Sequence, residues 1–573
     1  MERRLLLVFV LTFVVILIFQ PVLKKYLPQP STTTSTPQTQ NPPQSANPPA
    51  PNPPAPPAVE APAAGSAKRA SAEAETAVEN DLYRITFTNR GGQAKSWILK
   101  HYDDDQGKPL ELVNNAAAPT YGYPLSLWTY DEALRNKLNS VLYVNSGPAS
   151  CQAPCEVSFE YADADLSVRK TFHFDDSYVV RVEATVLQKG TPISALPMWP
   201  AGLGDENSPA AYAASKIEYQ VTGGDVERLV YKKVSSGNTV TTPFVWGAVS
   251  DQYFSAVFIP DQGENAALVT LRNSIEIPKD WRKPKEDLTK TDVLGIAAGS
   301  LKGPTVGRLY VGPKILKLLE TVPVAGLPAN VEPTLRQLID YGWFGFLARP
   351  LFVWLRWTYD HIVQNWGWAI AVQTLIITLA LLPLRISSMK SALKMQKIQP
   401  QMNSIKEKYK KYNMRDPRRQ EMNQEIAALM KQEKVSPVGG CLPLLIQMPI
   451  LFAYYRMLGV AIDLRHAHWL WIHDLSSPDP HYILPTLLVI SMIATQRMTP
   501  QAGIDPQQQK MMNWMMPLAM GFIFYNLAAG LNLYYGESNL IAIIQQVIMN
   551  RTELGREMRE MAAKRARKKD KDK

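Results

Sequence analysis

The chain has 573 residues, of which 46% are hydrophobic and 45 are prolines, and its mean hydropathy of -0.15 is too polar for a protein that lies in a membrane throughout. Its 61 Lys and Arg against 51 Asp and Glu give a net charge of +10, and this basic excess has to be located before it indicates a partner. Three cysteines exclude a disulfide-built scaffold and a four-thiolate zinc site, and with only seven histidines we expect neither a metal nor another cofactor.

An anchor and a tether are predicted at the start of the chain. Two arginines precede an apolar run at 5–19 that is extended by Val22 and Leu23 and at about 1.5 Å per residue nearly crosses a hydrocarbon core of roughly 30 Å. We therefore predict an uncleaved transmembrane anchor at 1–27 with the N-terminus in the cytoplasm. A cleaved signal peptide is the alternative, but Lys24 and Lys25 stand where a small-residue cleavage site is expected. Residues 28–79 are rich in Pro and Ala, a composition that predicts a disordered linker.

Residues 80–325 are predicted to form a large all-β domain on the far side of the membrane. Short runs of alternating polar and apolar residues, separated by Gly, Pro, Asn and Asp, recur through this stretch and are typical of antiparallel strands. Cys151 and Cys155 lie in a compartment where a disulfide persists, so they are either a disulfide pair or two free buried thiols.

The rest of the chain is predicted to be a polytopic helical membrane core. Aromatic residues mixed with charges at 333–362 indicate an amphipathic helix that lies flat in the membrane interface. Within a core at 363–550, transmembrane helices are predicted near 366–385, 440–460, 482–497, 513–529 and 531–549. Basic segments at 385–434 and 497–510 and a basic tail at 551–573 alternate with segments poor in Lys and Arg, which predicts six spans with both termini cytoplasmic. The basic charge either fixes this topology or also meets anionic lipids and ribosomal RNA.

A cytoplasmic helical hairpin is predicted at 387–434. Its two helices carry apolar stripes, and Asp416-Pro417 between them resembles a helix start. Five methionines are assigned to the hairpin: Met389, Met395, Met402, Met422 and Met430. Because methionine adapts to irregular apolar partners, the stripes either receive hydrophobic segments of other proteins or pack the two helices together.

Polar side chains inside the predicted spans suggest a hydrated groove. The candidates are Gln373, Thr374 and Thr378 in one span, Gln447 in a second, and Asn532, Tyr534, Tyr535 and Glu537 in the last. Each polar group that faces lipid without a partner costs a few kcal/mol, so a set of them indicates either helix-to-helix hydrogen bonds or a water-containing cavity. A cavity of this kind lets a polar chain end enter the membrane while an apolar helix moves sideways into lipid, and it requires no covalent catalysis.

Four sequence motifs carry a family resemblance. They are SPVGGCLPLLIQMPI at 436–450, WIHDL at 471–475, DPQQQKMM at 505–512 and GLNLYYGESNL at 530–540. Together they resemble the YidC family of bacterial membrane protein insertases, within the YidC/Oxa/Alb superfamily. The resemblance implies a periplasmic β-supersandwich and a five-helix core in the inner membrane, whose groove opens to the cytoplasm and to lipid. It also implies that nascent membrane proteins are inserted by this protein, alone or with the Sec translocon.

The same resemblance assigns roles to individual residues. Thr374 and Tyr535 match groove positions, Gln447, Met448 and Pro449 match a substrate-contacting helix, and the hairpin matches a region that contacts the ribosome or signal-recognition targeting factors. Most relatives carry an arginine where this chain has Thr378. Arg385 is then either a cation at the mouth of the groove or an ordinary boundary anchor, and we expect groove polarity to suffice without a fixed intramembrane cation.

Two other function classes are disfavoured. A secondary transporter also carries polar residues within its spans, but no inverted repeat is visible and intramembrane charge is nearly lacking. A sugar-modifying enzyme is suggested by similar β-sandwiches, but His101 and His173 show no catalytic spacing to carboxylates.

Overall fold

The computed structural model describes residues 67–261, 263–279, 287–412, 416–433, 442–498, 506–553, 556 and 560. All of them belong to one compact unit, Gly65–Lys573. The predicted anchor at 1–27, the linker as far as residue 66 and most of the tail at 551–573 lie outside the described residues.

The first part of the described chain is a β-domain with four short helices. Its strands are β1 (Glu75–Glu79), β2 (Tyr83–Thr88), β3 (Gln93–Asp103), β4 (Pro109–Glu111), β5 (Ser126–Trp128), β6 (Val144–Asn145), β7 (Ser150–Gln152), β8 (Cys155–Ala162), β9 (Leu166–Phe174), β10 (Val179–Gln188), β11 (Thr191–Pro192), β12 (Leu196–Trp199), β13 (Lys216–Val221), β14 (Val226–Val230), β15 (Asn238–Val240), β16 (Phe244–Ser250), β17 (Phe254–Pro260), β18 (Ala266–Pro278), β19 (Leu288–Ser300) and β20 (Thr305–Pro313). The helices are α1 (Ala118–Tyr121), α2 (Glu132–Ser140), α3 (Pro209–Ala214) and α4 (Leu316–Leu319).

These strands form three sheets. The largest runs β14-β13-β16-β17-β20-β10-β9-β8-β6, with β11 paired to β10. Two smaller sheets run β4-β3-β2-β1-β7 and β15-β18-β19-β12-β5. Side chains alternate between core and surface, as in β2, where Tyr83, Ile85 and Phe87 are fully buried and their neighbours are not. The all-β prediction is thereby confirmed, but the linker end predicted at residue 79 is wrong, because β1 already pairs with β2 from Glu75 onward.

Two features of the β-domain bear on sequence expectations. Cys151 and Cys155 are joined by a disulfide, the first of the two alternatives left open for them. His173 lies 3.3 Å from Glu156 and 4.0 Å from Glu183, on the solvent-facing side of neighbouring strands.

Lys170 is a buried lysine that ties two loops to the sheet, and its burial lowers the pKa of the amine to about 7. Its side chain is 1% exposed, and Nζ donates to the carbonyl oxygens of Gly91 (2.9 Å), Gly92 (2.7 Å) and Leu125. Gly91 and Gly92 have φ of +66° and +54°, so this turn depends on glycine and its carbonyls have no strand partner at hand. One ammonium therefore satisfies three buried acceptors.

Lys170→Met is expected to destabilise the β-domain markedly. Each buried carbonyl left without a donor costs about 1–3 kcal/mol, and a loss of about 3 kcal/mol lowers the melting temperature of a domain of this size by roughly 6–12 °C. Circular dichroism of the β-sheet signal during heating of the purified full-length protein measures this shift. Lys95→Met, at a half-exposed lysine of β3 that pairs with Glu75, is the matched control and is expected to change the melting temperature by less than about 2 °C.

The second part of the described chain is helical. Its helices are α5 (Gly345–His361), α6 (Trp366–Ala380), α7 (Leu382–Lys408), α8 (Arg418–Gln432), α9 (Leu442–Val460), α10 (Ile483–Met498), α11 (Pro506–Tyr525) and α12 (Ala529–Arg551). Helix α12 is central: it contacts α6, α9 and α10, and its Asn532 donates a hydrogen bond to the Phe524 carbonyl of α11. Helix α5 packs on α9 and α6. Their shared apolar core includes Leu355, Ile370, Met457 and Leu488.

Helix lengths correct the sequence expectations in detail. The helix predicted near 513–529 ends at Tyr525, and a short turn leads to Ala529, where α12 begins. The amphipathic helix predicted at 333–362 is a short 3-10 helix at Leu335–Leu338 followed by α5 from Gly345, and the chain bends by 120° between α5 and α6. Among the described residues, α5 and α6 taken together are long and apolar enough for a membrane span, whereas no helix meets that test alone.

A charged cluster fastens the β-domain to the helical part. Asp340, which precedes α5, lies 2.8 Å from Arg456 of α9, 3.4 Å from Lys216 of β13 and 4.0 Å from Arg228 of β14. Burial alone would raise the pKa of Asp340, but the charges of Arg228 and Arg456 hold that pKa at about 2. The carboxylate is therefore ionised at any physiological pH and joins cations from both parts of the chain.

Candidate functional site

The deepest of the predicted groove residues on α6 are sealed between helices. Gln373 is fully buried, its Nε2 donates to the Leu351 carbonyl of α5 at 2.9 Å, and its Oε1 accepts from the Tyr454 hydroxyl of α9. Thr374 is also fully buried and donates to the Ile370 carbonyl of its own helix at 2.7 Å. Both side chains therefore hydrogen-bond to protein groups. This is the first of the two alternatives that the sequence analysis left open, the other being a water-containing cavity.

Two candidates at the start of α12 are sealed in the same way. Asn532 is fully buried, and its Nδ2 donates to the carbonyls of Phe524 (3.0 Å) and Leu527 (3.1 Å) at the end of α11. Tyr534 is 2% exposed and stacks on Tyr454, with ring centroids 3.9 Å apart. Helix packing thus buries Gln373, Thr374, Asn532 and Tyr534 and supplies contacts to each of them, but the Oδ1 atom of Asn532 has no hydrogen-bond partner in the described part of the chain.

The next turn of α12 borders open space. A Cβ placed on Gly536 would meet no heavy atom within 4 Å, and the flanking Tyr535 and Glu537 are partly exposed. Tyr535 stacks against Phe524 with ring centroids 5.1 Å apart. The Oε2 atom of Glu537 is buried and has no hydrogen-bond partner within the described part of the chain. A polar atom in this state costs free energy unless water or another molecule reaches it.

A second set of polar side chains lies further along α12 and on the helices α7 and α10. Arg385 of α7 donates from Nη1 to Gln545 Oε1 at 2.7 Å. Gln545 Nε2 and the Gln496 Oε1 of α10 are buried, and neither has a partner among the residues that the structure describes. Thr378 lies one helical turn beyond Thr374, is partly exposed and donates to the Thr374 carbonyl. Unlike the sealed set, this region combines a cation with unpaired amides.

The third helix named by the resemblance presents its candidates toward the outside. Met448 is 40% exposed, and Gln447 and Pro449 are half-buried near the start of α9. Phe452 and Tyr455, one and two turns later, are 44% and 46% exposed. This face of α9 is apolar and available for contact.

The hairpin methionines pack the two hairpin helices against each other. Met402 is 7% exposed in a small core with Ile398 of α7 and Ile426 of α8. Met395, Met422 and Met430 are partly buried against that core, and nothing is described of the Met389 side chain. Helix packing is thus the role that the contacts support for these residues.

The segment between α9 and α10 lies against the β-domain. Gln252 donates to the Gly459 carbonyl at 2.8 Å, and Arg465 lies over the Phe254 ring at 5.5 Å. His466 Nε2 is 3.5 Å from Asp105, and this contact lowers the pKa of the Asp105 carboxyl. The C-terminal end of α9 therefore points toward the β-domain, and its N-terminal end points away.

Sequence reasoning did not single out several residues that shape this site. Tyr454 connects Gln373 and Tyr534, and Gln545 connects Arg385 to α12, yet neither was singled out as a candidate. Gln545 has a sequence signal of its own, because it stands two turns after Glu537 in an otherwise apolar stretch. Tyr454 has none, since tyrosine is common at membrane interfaces.

Comparisons with known proteins cover nearly all of the described chain. The family described as YidC periplasmic domain matches residues 75–354, and the family described as 60Kd inner membrane protein matches residues 357–556. A solved structure described as active YidC insertase with the first transmembrane domain resolved is 19% identical, with a TM-score of 0.34, and covers 85% of this chain and 94% of that one.

Two relatives named membrane protein insertase YidC are more similar in sequence. The relative from Geobacter sp. (strain M21) is 32% identical over 501 residues, which cover 83% of this chain and 86% of the relative. The relative from Cupriavidus pinatubonensis (strain JMP 134 / LMG 1197) is 34% identical over 490 residues, which cover 83% and 82%. These identities extend over most of each sequence, and they show that this chain belongs to the YidC family of membrane protein insertases.

Proposed function

We propose that this protein inserts nascent membrane proteins into the bacterial inner membrane through a polar recess beside α12, without covalent catalysis. The recess is bounded by Gly536 and Glu537 on α12, Gln496 on α10 and the Arg385–Gln545 pair. The observation that carries the proposal is the set of unpaired buried atoms at Glu537 and Gln545 on α12 and at Gln496 on the contacting helix α10, together with the open space at Gly536 beside Glu537. Such atoms keep water, and water in turn lowers the cost of bringing a polar chain end into the membrane.

The recess is smaller than the groove drawn from the sequence. Gln373, Thr374 and Tyr534 close the bundle toward the β-domain through their hydrogen bonds and stacking, and Asn532, whose Oδ1 has no partner in the described part of the chain, lies where this closed part meets the recess. Thr378, Tyr535 and Glu537 remain as lining residues. A client helix leaves the recess along the exposed apolar face of α9 at Met448, Phe452 and Tyr455.

The β-domain contacts support one orientation of the helices in the membrane. The family places this domain in the periplasm, and the α9–α10 segment lies against it, so the opposite ends of α9 and α10 and the hairpin of α7 and α8 face the cytoplasm. Six spans, of which α6, α9, α10, α11 and α12 are five, then place both termini in the cytoplasm. The basic hairpin there meets the ribosome, targeting factors or anionic lipid, and the Sec translocon is a further partner.

Crosslinking to a stalled nascent chain tests the recess. Single cysteines are introduced at Thr378, Met448 and Tyr535 in a Cys441→Ser background that keeps the Cys151–Cys155 disulfide. We expect each to crosslink to a cysteine in the client's first transmembrane segment, since the proposal puts the client against these positions.

Ile490→Cys on α10 is the matched control, because Ile490 is 58% exposed and Met448 only 40%. If crosslinking followed accessibility alone, Ile490 would be labelled at least as strongly as Met448. Labelling from Ile490 equal to that from the three test positions would contradict the proposal.

A further inference from the structure

Two histidines in the segment after α9 lie side by side on the surface. The Nδ1 atoms of His468 and His473 are 3.4 Å apart, and the two rings stand nearly perpendicular, with centroids separated by 5.3 Å. Both side chains are exposed. Nothing in the proposed insertion function uses them.

A tight reversal of the backbone brings the two imidazoles together. Trp469 and Ile472 form an antiparallel bridge, each donating its N–H to the other's carbonyl at 2.8 Å, and Leu470 between them has φ of +51°. Trp469 and Ile472 are buried in the helical core, at 8% and 0% exposure. Because successive residues of extended chain point to opposite sides, the residues just outside this pair, His468 and His473, point away from the core and toward each other.

The distance between the two nitrogens matches a pair of metal ligands. Zinc–imidazole bonds of about 2.0–2.1 Å at a tetrahedral angle place two ligand nitrogens about 3.4 Å apart. Without a metal, the same two nitrogens share a long hydrogen bond in which one ring donates to the other. We propose that His468 and His473 form a two-histidine site for a divalent transition metal ion, with Zn²⁺ as the ion that the tetrahedral spacing favours.

The surroundings hold the pair in place. The His468 carbonyl accepts from Asn365 Nδ2 at 3.0 Å, at the residue that caps the start of α6. On the other side, Asp474 accepts from the His466 N–H at 3.0 Å and from the Ser476 N–H at 2.8 Å. A ligand pair fixed by its own backbone loses little conformational freedom on binding the ion, which favours affinity.

The two-histidine site is open to solvent, and this determines which further ligands the ion takes. In the described part of the chain, no group of three or more His, Cys, Asp or Glu side chains is arranged to hold a metal. Two protein ligands leave two tetrahedral positions to water or to a group from outside, so the ion exchanges with solution rather than being locked into the fold. Since this segment lies against the β-domain, the bound ion stiffens the connection between α9 and α10 on that side.

Titration of the full-length protein with ZnCl₂ tests the site. The protein is purified in detergent through a tag that lacks histidine, stripped with a chelator and titrated by calorimetry. We expect one Zn²⁺ to bind per chain, and both His468→Ala and His473→Ala to weaken that binding at least tenfold. Both changes are at exposed positions, so circular dichroism is expected to show unchanged folding of the metal-free variants.

His481→Ala is the control, because His481 is an exposed histidine of the same segment that lies outside the pair. It is expected to bind Zn²⁺ as the wild type does. The proposal is overturned if the wild type binds no Zn²⁺, or if either single variant of the pair retains the wild-type affinity. Insertion activity is measured separately, and its outcome does not decide the metal site.

Discussion

Arg385→Gln is expected to reduce insertion of clients with an acidic translocated tail by about tenfold. Contrary to the sequence-based expectation that groove polarity suffices without a cation, Arg385 bonds to a neutral amide of α12, so its charge is available to a carboxylate that enters the recess. A tenfold change corresponds to about 1.4 kcal/mol, which is less than the roughly 4 kcal/mol of Coulomb energy between two unit charges 4 Å apart at an effective dielectric constant near 20. Insertion is measured by protease accessibility of the client tail in a strain depleted of its own insertase.

The matched changes separate charge from packing. Arg385→Lys keeps the charge and is expected to retain most of the activity, and adding Thr378→Arg to Arg385→Gln is expected to restore it. A client whose tail acids are replaced by Asn or Gln is expected to be inserted equally by all variants. If Arg385→Gln inserts acidic and neutral tails with wild-type efficiency, Arg385 is a boundary anchor and groove polarity alone suffices.

The sequence was informative about elements whose pattern is local. The alternating runs of the β-domain, the start of the second hairpin helix near Asp416-Pro417 and the short turn before α12 all depend on residues close together in the chain, and the structure contains each of them. The first β-strand was missed because Glu75–Glu79 directly follows a run rich in Ala and Glu, whose composition resembles the linker.

Which polar residues face water could not be read from periodicity. Helical spacing puts Thr374 and Thr378 on one face of α6, but it does not say that α9 covers the first and leaves the second partly open. Gln373 is buried because Tyr454, 81 residues later, reaches its amide. Such contacts between residues far apart in the sequence depend on how α5, α6, α9 and α12 pack. Helix packing in turn depends on how the side-chain surfaces fit together across the whole bundle.

The same reasoning applies to the paired histidines. A spacing of five residues is not a metal-binding pattern for a helix or a strand. The bridge between Trp469 and Ile472 brings His468 and His473 together, and that bridge depends on a positive φ at Leu470. Leucine rarely adopts a positive φ, so the sequence gives no signal for this turn.

Gln373→Leu is expected to destabilise the helical bundle by about 1–3 kcal/mol, because it leaves the buried Tyr454 hydroxyl without the acceptor that Gln373 supplies and removes the second bond to the Leu351 carbonyl, which keeps its partner within α5. Leucine is close to glutamine in volume, so the loss reflects hydrogen bonding rather than a cavity. Unfolding of the purified protein in mixed micelles, followed by helical circular dichroism against denaturant, measures the change. Gln447→Leu is the control, since Gln447 is half-buried at the start of α9, and it is expected to change stability by less than about 0.5 kcal/mol.

The double variant Gln373→Leu with Tyr454→Phe distinguishes a sealed hydrogen-bond network from a wet cavity. If Tyr454 and Gln373 are direct partners in a dry interior, removing both leaves neither side chain with an unpaired polar group, and the double variant is about 1–2 kcal/mol more stable than the sum of the single effects predicts. If water fills this region instead, each group keeps a partner after either change, and the two effects simply add. Additive effects would therefore return Gln373 and Thr374 to the lining of the recess and enlarge the path open to a client.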